Sequence, residues 1–148
     1  MRVSRCVKWP LQVFDSEDRS LSLKSLAGQV VILLYESRDS TEQNRIFKDH
    51  LIALKQKGGN FRVVPIVDCS SASLWFKGIW KGQIREHSVK EGVDIYCDWT
   101  GDAGKAYASN PGVSNVYVID KGGLLQYQHT GAVPSSDMPK IKSLLDAR

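Results

Sequence analysis

The chain has 148 residues, of which 42% are hydrophobic and 24% are charged, and its formal net charge is +4. We interpret it as a single domain over residues 1–148, in which about the first ten residues form a flexible arm. The positive charge is thinly spread, so it does not by itself support nucleic-acid binding. The longest apolar run, residues 30–35, is far shorter than the ~20 residues of a membrane helix, so we expect no membrane insertion.

The start of the chain lacks the apolar core of a signal peptide. We therefore expect a cytoplasmic protein, or a periplasmic or secreted one if a leader was removed. The three cysteines, Cys6, Cys69 and Cys97, are too few for a disulfide scaffold and lack zinc spacing. The three histidines have no second ligand three or four residues away, so we predict no metal site and no cofactor.

The first half of the chain predicts alternating strands and helices. Two apolar arms, residues 11–15 and 21–23, flank the polar turn 16–20 and predict a hairpin. Residues 30–35 are continuously apolar, which is typical of a central parallel strand buried on both faces. Residues 41–57 carry apolar positions at helical spacing, and residues 61–67 predict a strand in which Pro65 indicates an incomplete partner.

The second half continues this alternation. Residues 73–90 predict a helix anchored by apolar side chains, namely Trp75, Phe76, Trp80 and Ile84. A short strand at 93–97 precedes a brief helix that Thr100 or Asp102 can cap. Residues 115–119 and 124–128 flank a strong hairpin turn, and a last helix from near Ser136 buries Met138, Ile141, Leu144 and Leu145. The order predicts an α/β fold with right-handed crossovers around a mixed sheet.

This order, with these residues, resembles the redoxin branch of the thioredoxin-like superfamily over nearly the whole chain. The first stretch is Val13-Phe-Asp15 with residues 21–31, which look like the beginning of thiol-disulfide oxidoreductases and peroxiredoxins. Val116-Tyr-Val-Ile-Asp120-Lys-Gly-Gly123 looks like their closing hairpin. The resemblance implies a three-layer fold, with a central mixed sheet and helices on both faces.

A cysteine-poor periplasmic thioredoxin-fold family, labelled as transcriptional regulators, is also similar. The shared features are Arg38-x-Ser40 with Asn44, the stretch Gly101-x-Ala-Gly-Lys-Ala-Tyr107, and the hairpin turn at residues 118–123. That label does not settle a biochemical role, and nothing in these residues supports the reading of DNA.

The resemblance implies a pair of cysteines in the loop after the first central strand, at a helix N-terminus that activates a thiolate. The matching loop here is Tyr35-Glu-Ser-Arg-Asp-Ser-Thr-Glu-Gln43, and Ser40 and Gln43 stand where the cysteines would be. We interpret Ser40-x-x-Gln43 as a capping box with a structural role. Ser40 as a nucleophile lacks an adjacent histidine base.

The superfamily also places a cis-proline opposite this loop, and Ser114 stands at that position. A non-proline cis bond is unfavourable by about 2.5–4 kcal/mol, so a trans bond is the default. Two separate elements of the redox site are therefore missing from the sequence.

The resemblance places Cys69 and Cys97 at the carboxyl ends of two neighbouring parallel strands. Such strands lie about 4.8 Å apart, so a bond between the two sulfurs is allowed. The favoured alternative is two independent small apolar residues that end buried strands. If the two cysteines do pair, a structural bridge in an oxidising compartment is favoured over catalysis.

We therefore predict a thioredoxin-fold binding or interaction module without redox chemistry, whose partner is a protein or peptide. The expected binding residues are Glu36, Ser37, Arg38, Asp39, Ser40, Gln43, Ser114 and Asn115. The alternative is an atypical thiol redoxin, a disulfide oxidoreductase or peroxidase, that uses Cys69 and Cys97. Nucleic-acid binding ranks last.

Overall fold

The computed structural model describes residues 13–21, 26, 28–72, 76–107 and 109–146. Strands and helices alternate through the described residues before a final hairpin and helix. Their bounds are β1 (Val30–Glu36), α1 (Arg45–Gln56), β2 (Phe61–Asp68), α2 (Lys77–Glu91), β3 (Tyr96–Asp98), α3 (Asp102–Ala106), β4 (Asn115–Ile119), β5 (Leu125–Thr130) and α4 (Met138–Leu145). In the described part of the chain, no helix combines the length and apolar character that crossing a membrane requires.

The sheet has five strands in the order β3-β2-β1-β4-β5. β1 pairs in parallel with β2, β2 pairs in parallel with β3, and β4 runs antiparallel to both β1 and β5. Every residue of β1 is buried, because it lies in the middle of the sheet with side chains packed on both faces. The mixed sheet predicted from the sequence is confirmed.

Helices cover both faces of the sheet. On one face, α1 and α4 bury Phe47, Leu51 and Ile141 against β1 and β4, and α2 places Ile84 over the ends of β2 and β3. On the other face, α3 and the segment around Val13 pack against the opposite side chains of β1. The predicted α/β arrangement in three layers, with a central mixed sheet and helices on both faces, is confirmed.

The predicted N-terminal hairpin is present in its described part. Phe14 bridges Ser20, and the amide of Leu21 donates to the carbonyl of Val13 over 3.2 Å. Phe14 also exchanges two backbone hydrogen bonds with Cys97, so this segment extends the sheet beyond β3. Leu11, Leu23, Trp75 and Cys6 lie outside the described residues.

Several predicted boundaries are wrong. α1 begins at Arg45 because residues 41–44 form tight turns, in which the amide of Gln43 bonds to Ser40 and that of Arg45 to Glu42. β3 begins at Tyr96, since the amide of Ile95 donates to the Ser88 hydroxyl over 3.2 Å and so bonds to α2.

Two other local predictions fail. Phe76 is 56% exposed because it precedes the first turn of α2, so it is no core anchor, although Ile84 is buried. Gly101, with a φ of 81°, holds the position before α3 that was predicted for Thr100 or Asp102, although the Thr100 hydroxyl does accept a hydrogen bond from the amide of Asp102 over 3.2 Å.

Candidate functional site

The loop after β1 is a short 3₁₀ turn held by two serines. The Ser40 hydroxyl oxygen accepts bonds from the Ser37 amide, at 2.9 Å, and from the Ser37 hydroxyl, at 3.1 Å. The capping box therefore joins Ser37 to Ser40 and precedes α1. The predicted Ser40–Gln43 box is wrong, because the Gln43 side chain makes a long-range bond instead.

Gln43 and Asn44 join this loop to the segment before β4. The amide of Ser114 donates to Oε1 of Gln43 over 2.7 Å, and Nδ2 of Asn44 donates to the Ser114 hydroxyl over 2.7 Å. Asn44 also bonds to the carbonyl of Gly131 and to the amide of Val133. Three separate parts of the chain thus meet at two amide side chains.

Asn115 performs the same kind of bridging one residue later. Its Nδ2 lies within hydrogen-bond distance of the carbonyls of Tyr35, Asn110 and Val113, and its Oδ1 accepts from the amide of Asn110. Asn115 is 2% exposed, so its polar atoms form their hydrogen bonds inside the protein.

A buried ion pair lies beneath the loop. Nζ of Lys48 donates to Oε1 of Glu36 over 2.7 Å and to the carbonyl of Thr41 over 2.6 Å. Burial raises the pKa of Glu36, and Lys48 and the Ser114 hydroxyl offset only part of that rise. Sequence reasoning missed Lys48, although its spacing from Asn44, Phe47 and Leu51 puts it on the buried stripe of α1.

Arg38, Asp39 and Glu42 are the exposed charges of the loop. The Arg38 guanidinium lies 4.3 Å from the ring centroid of Trp80, and its Nη2 donates to the Gln83 side chain over 2.8 Å. The loop is therefore attached to α2 as well as to the segment before β4. We call residues 36–43 together with Ser114 and Asn115 the loop site.

Cys69 and Cys97 lie close together near the carboxyl ends of β2 and β3, at the same end of the sheet as the loop site. Both are free, and they are 1% and 0% exposed in an apolar cluster with Val67, Ile84 and Ile95. The neighbouring Cys97 side chain and burial raise the pKa of Cys69, whereas the neighbouring Cys69 side chain lowers the pKa of Cys97 against the effect of its burial. We call these two residues the thiol pair.

Asp98 follows Cys97, and its side chain accepts several hydrogen bonds on the opposite face of the sheet. Its Oδ2 accepts from the Tyr35 hydroxyl over 2.7 Å and from the amide of Gly104 over 3.1 Å, while Oδ1 accepts from the amide of Gly101 over 3.1 Å. Burial and the Asp98 bond raise the pKa of Tyr35. Sequence reasoning missed this network. The signal for it was an aspartate at the end of a strand, three residues before the glycine that precedes a helix.

The structure brings the predicted binding residues together and keeps the thiol pair apart from them. Glu36, Ser40, Ser114 and Asn115 are buried, whereas Arg38, Asp39 and Gln43 face solvent. Within the described residues, no three His, Cys, Asp or Glu side chains are grouped so that they could hold a metal ion.

No protein-family model matches the chain, and neither does any curated protein. Solved structures do match it. A thiol-disulfide isomerase from Corynebacterium glutamicum aligns with a TM-score of 0.71 at 16% identity, over 95% of this chain and 96% of that one. The thiol:disulfide interchange protein DsbE from Chlorobium tepidum has a TM-score of 0.69 at 18% identity, over 97% of this chain and 99% of that one.

A third similar structure is the exposed lipoprotein thioredoxin Etrx1 of Streptococcus pneumoniae. It has a TM-score of 0.68 at 15% identity, over 97% of this chain and 98% of that one. Likeness over almost the full length of each protein, at such low identity, concerns the path of the backbone. The chain therefore has the thioredoxin-like fold, in the form that these thiol-disulfide oxidoreductases share.

Proposed function

We propose that the protein is a non-catalytic binding module for a protein or peptide, and that the partner contacts the loop site. Burial divides the roles of the predicted residues. Arg38, Asp39 and Gln43 are exposed and able to contact a partner, whereas the buried members of the loop site hold the surface in place.

The hydrogen bond from the Ser114 amide to Gln43, at 2.7 Å, carries this proposal. It joins the two segments that, by resemblance, would bear a redox cysteine and a cis-proline in an oxidoreductase. A serine hydroxyl stays protonated at neutral pH and an amide has no redox chemistry, so neither group exchanges disulfides. What they provide is a fixed polar surface, which loses little conformational entropy when a partner binds.

The redoxin alternative is less well supported because of burial. Thiol-disulfide exchange requires a thiolate to reach the sulfur of its substrate, and access limits that step. Exposures of 1% for Cys69 and 0% for Cys97 leave no room for the disulfide of another protein. A partner of the thiol pair would have to open the apolar cluster first.

A peptide is favoured as the partner because of the charges on the loop. Arg38 offers a planar cation beside the partly buried Trp80 ring, and the adjacent Asp39 offers an exposed carboxylate. Opposite charges side by side match the alternating polar groups and charges of an extended chain. Loops at strand ends on a rigid scaffold commonly carry such contacts.

The test is a titration of the ¹⁵N-labelled protein with sets of short unstructured peptides that differ in charge. Binding should shift the amide signals of residues 36–43 and 114–115, and Asp39→Lys should abolish it. The matched control is Asp49→Lys, which makes the same charge change at an exposed position of α1.

An enzyme assay separates the proposal from its alternative. We expect no disulfide-reductase and no peroxidase turnover by the wild-type protein. Turnover that disappears in Cys69→Ser or Cys97→Ser would replace the proposal with the redoxin function. Peptide-induced shifts confined to other parts of the protein would refute the assignment of the loop site.

A further inference from the structure

A cleft lies between α1 and α2, over β2 on the face of the sheet that α1 covers. It has an outer cavity of about 520 Å³ and an inner cavity of about 50 Å³, which share Lys48, Pro65 and Glu91 in their linings. Val63 lines the outer cavity and Val67 the inner one, and both point to the same face as Pro65 because side chains alternate along a strand. The two cavities are therefore neighbouring parts of one cleft.

The outer cavity has an apolar floor. Its apolar lining residues are Leu34, Leu51, Ile52, Val63, Pro65 and Val93. The floor is accessible because β3 pairs with β2 only from Ile66 onwards, and within the described residues no strand lies beside the first half of β2. Its volume falls in the range of about 300–1,000 Å³ that is typical of sites for small molecules. The outer cavity thus suits a compact apolar group.

The inner cavity contains a carboxylate oxygen that lacks a hydrogen bond. Glu36 lines this cavity, is 3% exposed, and accepts a bond from Lys48 through Oε1. Its Oε2 is buried and forms no hydrogen bond with any described residue, although the Ser114 hydroxyl is near enough to affect the pKa of Glu36. Because a buried acceptor without a donor is unfavourable, the inner cavity favours a ligand that brings a donor.

The charges at the inner cavity select a positive donor. Its lining includes the carboxylates of Glu36, Glu42 and Glu91, with Lys48 as the cation. Arg45 of α1 bonds to Glu42 and, across the cleft, to Glu91 of α2, each over 2.8 Å. Three carboxylates thus face two cations, so one further positive charge balances the group. An ammonium group supplies that charge together with three N–H donors.

The cations of the outer cavity are less suited to hold an acid. Nζ of Lys55 already donates to the carbonyl of Phe61, and Nη2 of Arg62 bonds to the Tyr96 hydroxyl over 3.4 Å. Arg62 also alternates with Val63 along β2, so its side chain leaves the backbone on the opposite face of the sheet. The unused acceptor at Glu36 is therefore the stronger selecting group.

We propose that this cleft is a binding site for a small primary amine with an apolar body. The ammonium group donates to Oε2 of Glu36 in the inner cavity, and the apolar body lies over Leu34, Leu51 and Val63 in the outer one. Hydrogen bonds between ionised partners are the strong kind, and burial at Glu36 strengthens them further. This site does not depend on the peptide partner of the loop site.

The experiment compares three probes that share an aromatic body and differ in the head group. The full chain, labelled with ¹⁵N and ¹³C, is titrated at pH 7 with 2-phenylethylamine, 2-phenylethanol or 3-phenylpropanoate. We expect the amine to bind at least about tenfold more tightly than the alcohol and the acid, because only the ammonium forms a charge-assisted bond to Glu36. Nuclear Overhauser effects should connect its ring to the methyl groups of Leu34, Leu51 and Val63.

Two variants test the two ends of the cleft. Glu36→Gln keeps the shape of the side chain and should weaken amine binding about tenfold, whereas Glu86→Gln, at an exposed position of α2, should leave it unchanged. Val63→Phe fills the outer cavity and should abolish binding while it retains the carboxylate. Its control is Val89→Phe, since Val89 is 79% exposed and lines neither cavity. The Val63 variant decides the question if Glu36→Gln fails to fold.

The outcomes separate this site from the proposed function. Equal binding of the three probes, preference for the acid, or contacts of the ring outside the cleft would overturn the amine site. Asp39→Lys, which should abolish peptide binding, should change the amine affinity by less than about twofold, because an exposed charge outside the cleft is screened by solvent. Amine binding by a protein that binds none of the peptides supports the cleft site and refutes the proposed function alone.

Discussion

The loop site and the thiol pair lie at the same end of the sheet, and each has only part of what a thiol oxidoreductase combines in one site. The loop site has the position and the exposure but holds only hydroxyls, amides and an ion pair, whereas the thiol pair has the sulfurs but is closed to solvent. In the loop site, the polar groups stabilise the fold by bonding to one another. The comparison teaches that position in a fold and chemistry at that position are separable.

Breaking the buried ion pair should give the largest effect. Lys48→Met leaves the Glu36 carboxylate buried without its cation, and such a loss destabilises by about 3–5 kcal/mol. Chemical denaturation measures the change. The double variant Glu36→Leu/Lys48→Met should recover most of it, and a single variant as stable as wild type would show that the pair does not hold the loop.

The same variant has a signed pH dependence. Burial puts the pKa of Glu36 above its ordinary value of 4.5, so the folded state holds a proton that the unfolded state has released. Stability therefore falls as pH rises through the window just above 4.5, and losing Lys48 widens that window. Denaturation midpoints across pH should show the penalty of Lys48→Met shrinking towards acid.

A smaller effect is expected beside the thiol pair. A Cβ on Gly104 would lie 2.6 Å from the Tyr35 hydroxyl, so Gly104→Ala must displace the bond from Tyr35 to Asp98. We expect a loss of about 1–3 kcal/mol. Gly78→Ala in α2 is the control, since its Cβ meets no atom within 4 Å and alanine favours the helix.

Removing the link between the two segments of the loop site should have a modest effect. Gln43→Ala leaves the buried amide of Ser114 without its acceptor, which destabilises by about 1–2 kcal/mol. The exposed Gln56→Ala at the end of α1 should change little. If both variants behave alike in thermal unfolding, Gln43 contributes nothing to the rigidity that we assign to it.

The smallest effect concerns the contact between the loop site and Trp80 of α2. Arg38→Ala removes a guanidinium from the Trp80 ring at an exposed position, and we expect a loss below about 1 kcal/mol. Tryptophan emission should change with it, whereas Asp39→Ala should leave emission as it was. Identical emission from both variants would argue against a connection through Trp80.

The fold was predictable because its strongest signals are local. The apolar run of β1 and the turn Asp120-Lys-Gly-Gly123 each determine their element within a few residues, and the structure has both. The incomplete pairing predicted at Pro65 is also confirmed, because β3 begins opposite Ile66, one residue beyond the proline. Boundaries were less predictable, because the start of β3 depends on the bond from Ile95 to Ser88 in another element.

The candidate site was predictable in position and not in its connections. Ser37, Ser40 and Gln43 are all able to cap a helix, and local spacing does not distinguish among them. The choice depends on Ser114, which lies 71 residues from Gln43. A bond between residues so distant in sequence follows from the packed fold and leaves no periodic trace in the chain.

Pro65 has a consequence for how copies of the protein meet in solution. Among the described residues, no strand pairs with β2 on its outer side between Phe61 and Pro65. A free flank of this kind invites another chain to add a strand, which is how sheet proteins begin to aggregate. Because proline has no amide hydrogen to offer, it interrupts that ladder and protects the protein against self-association.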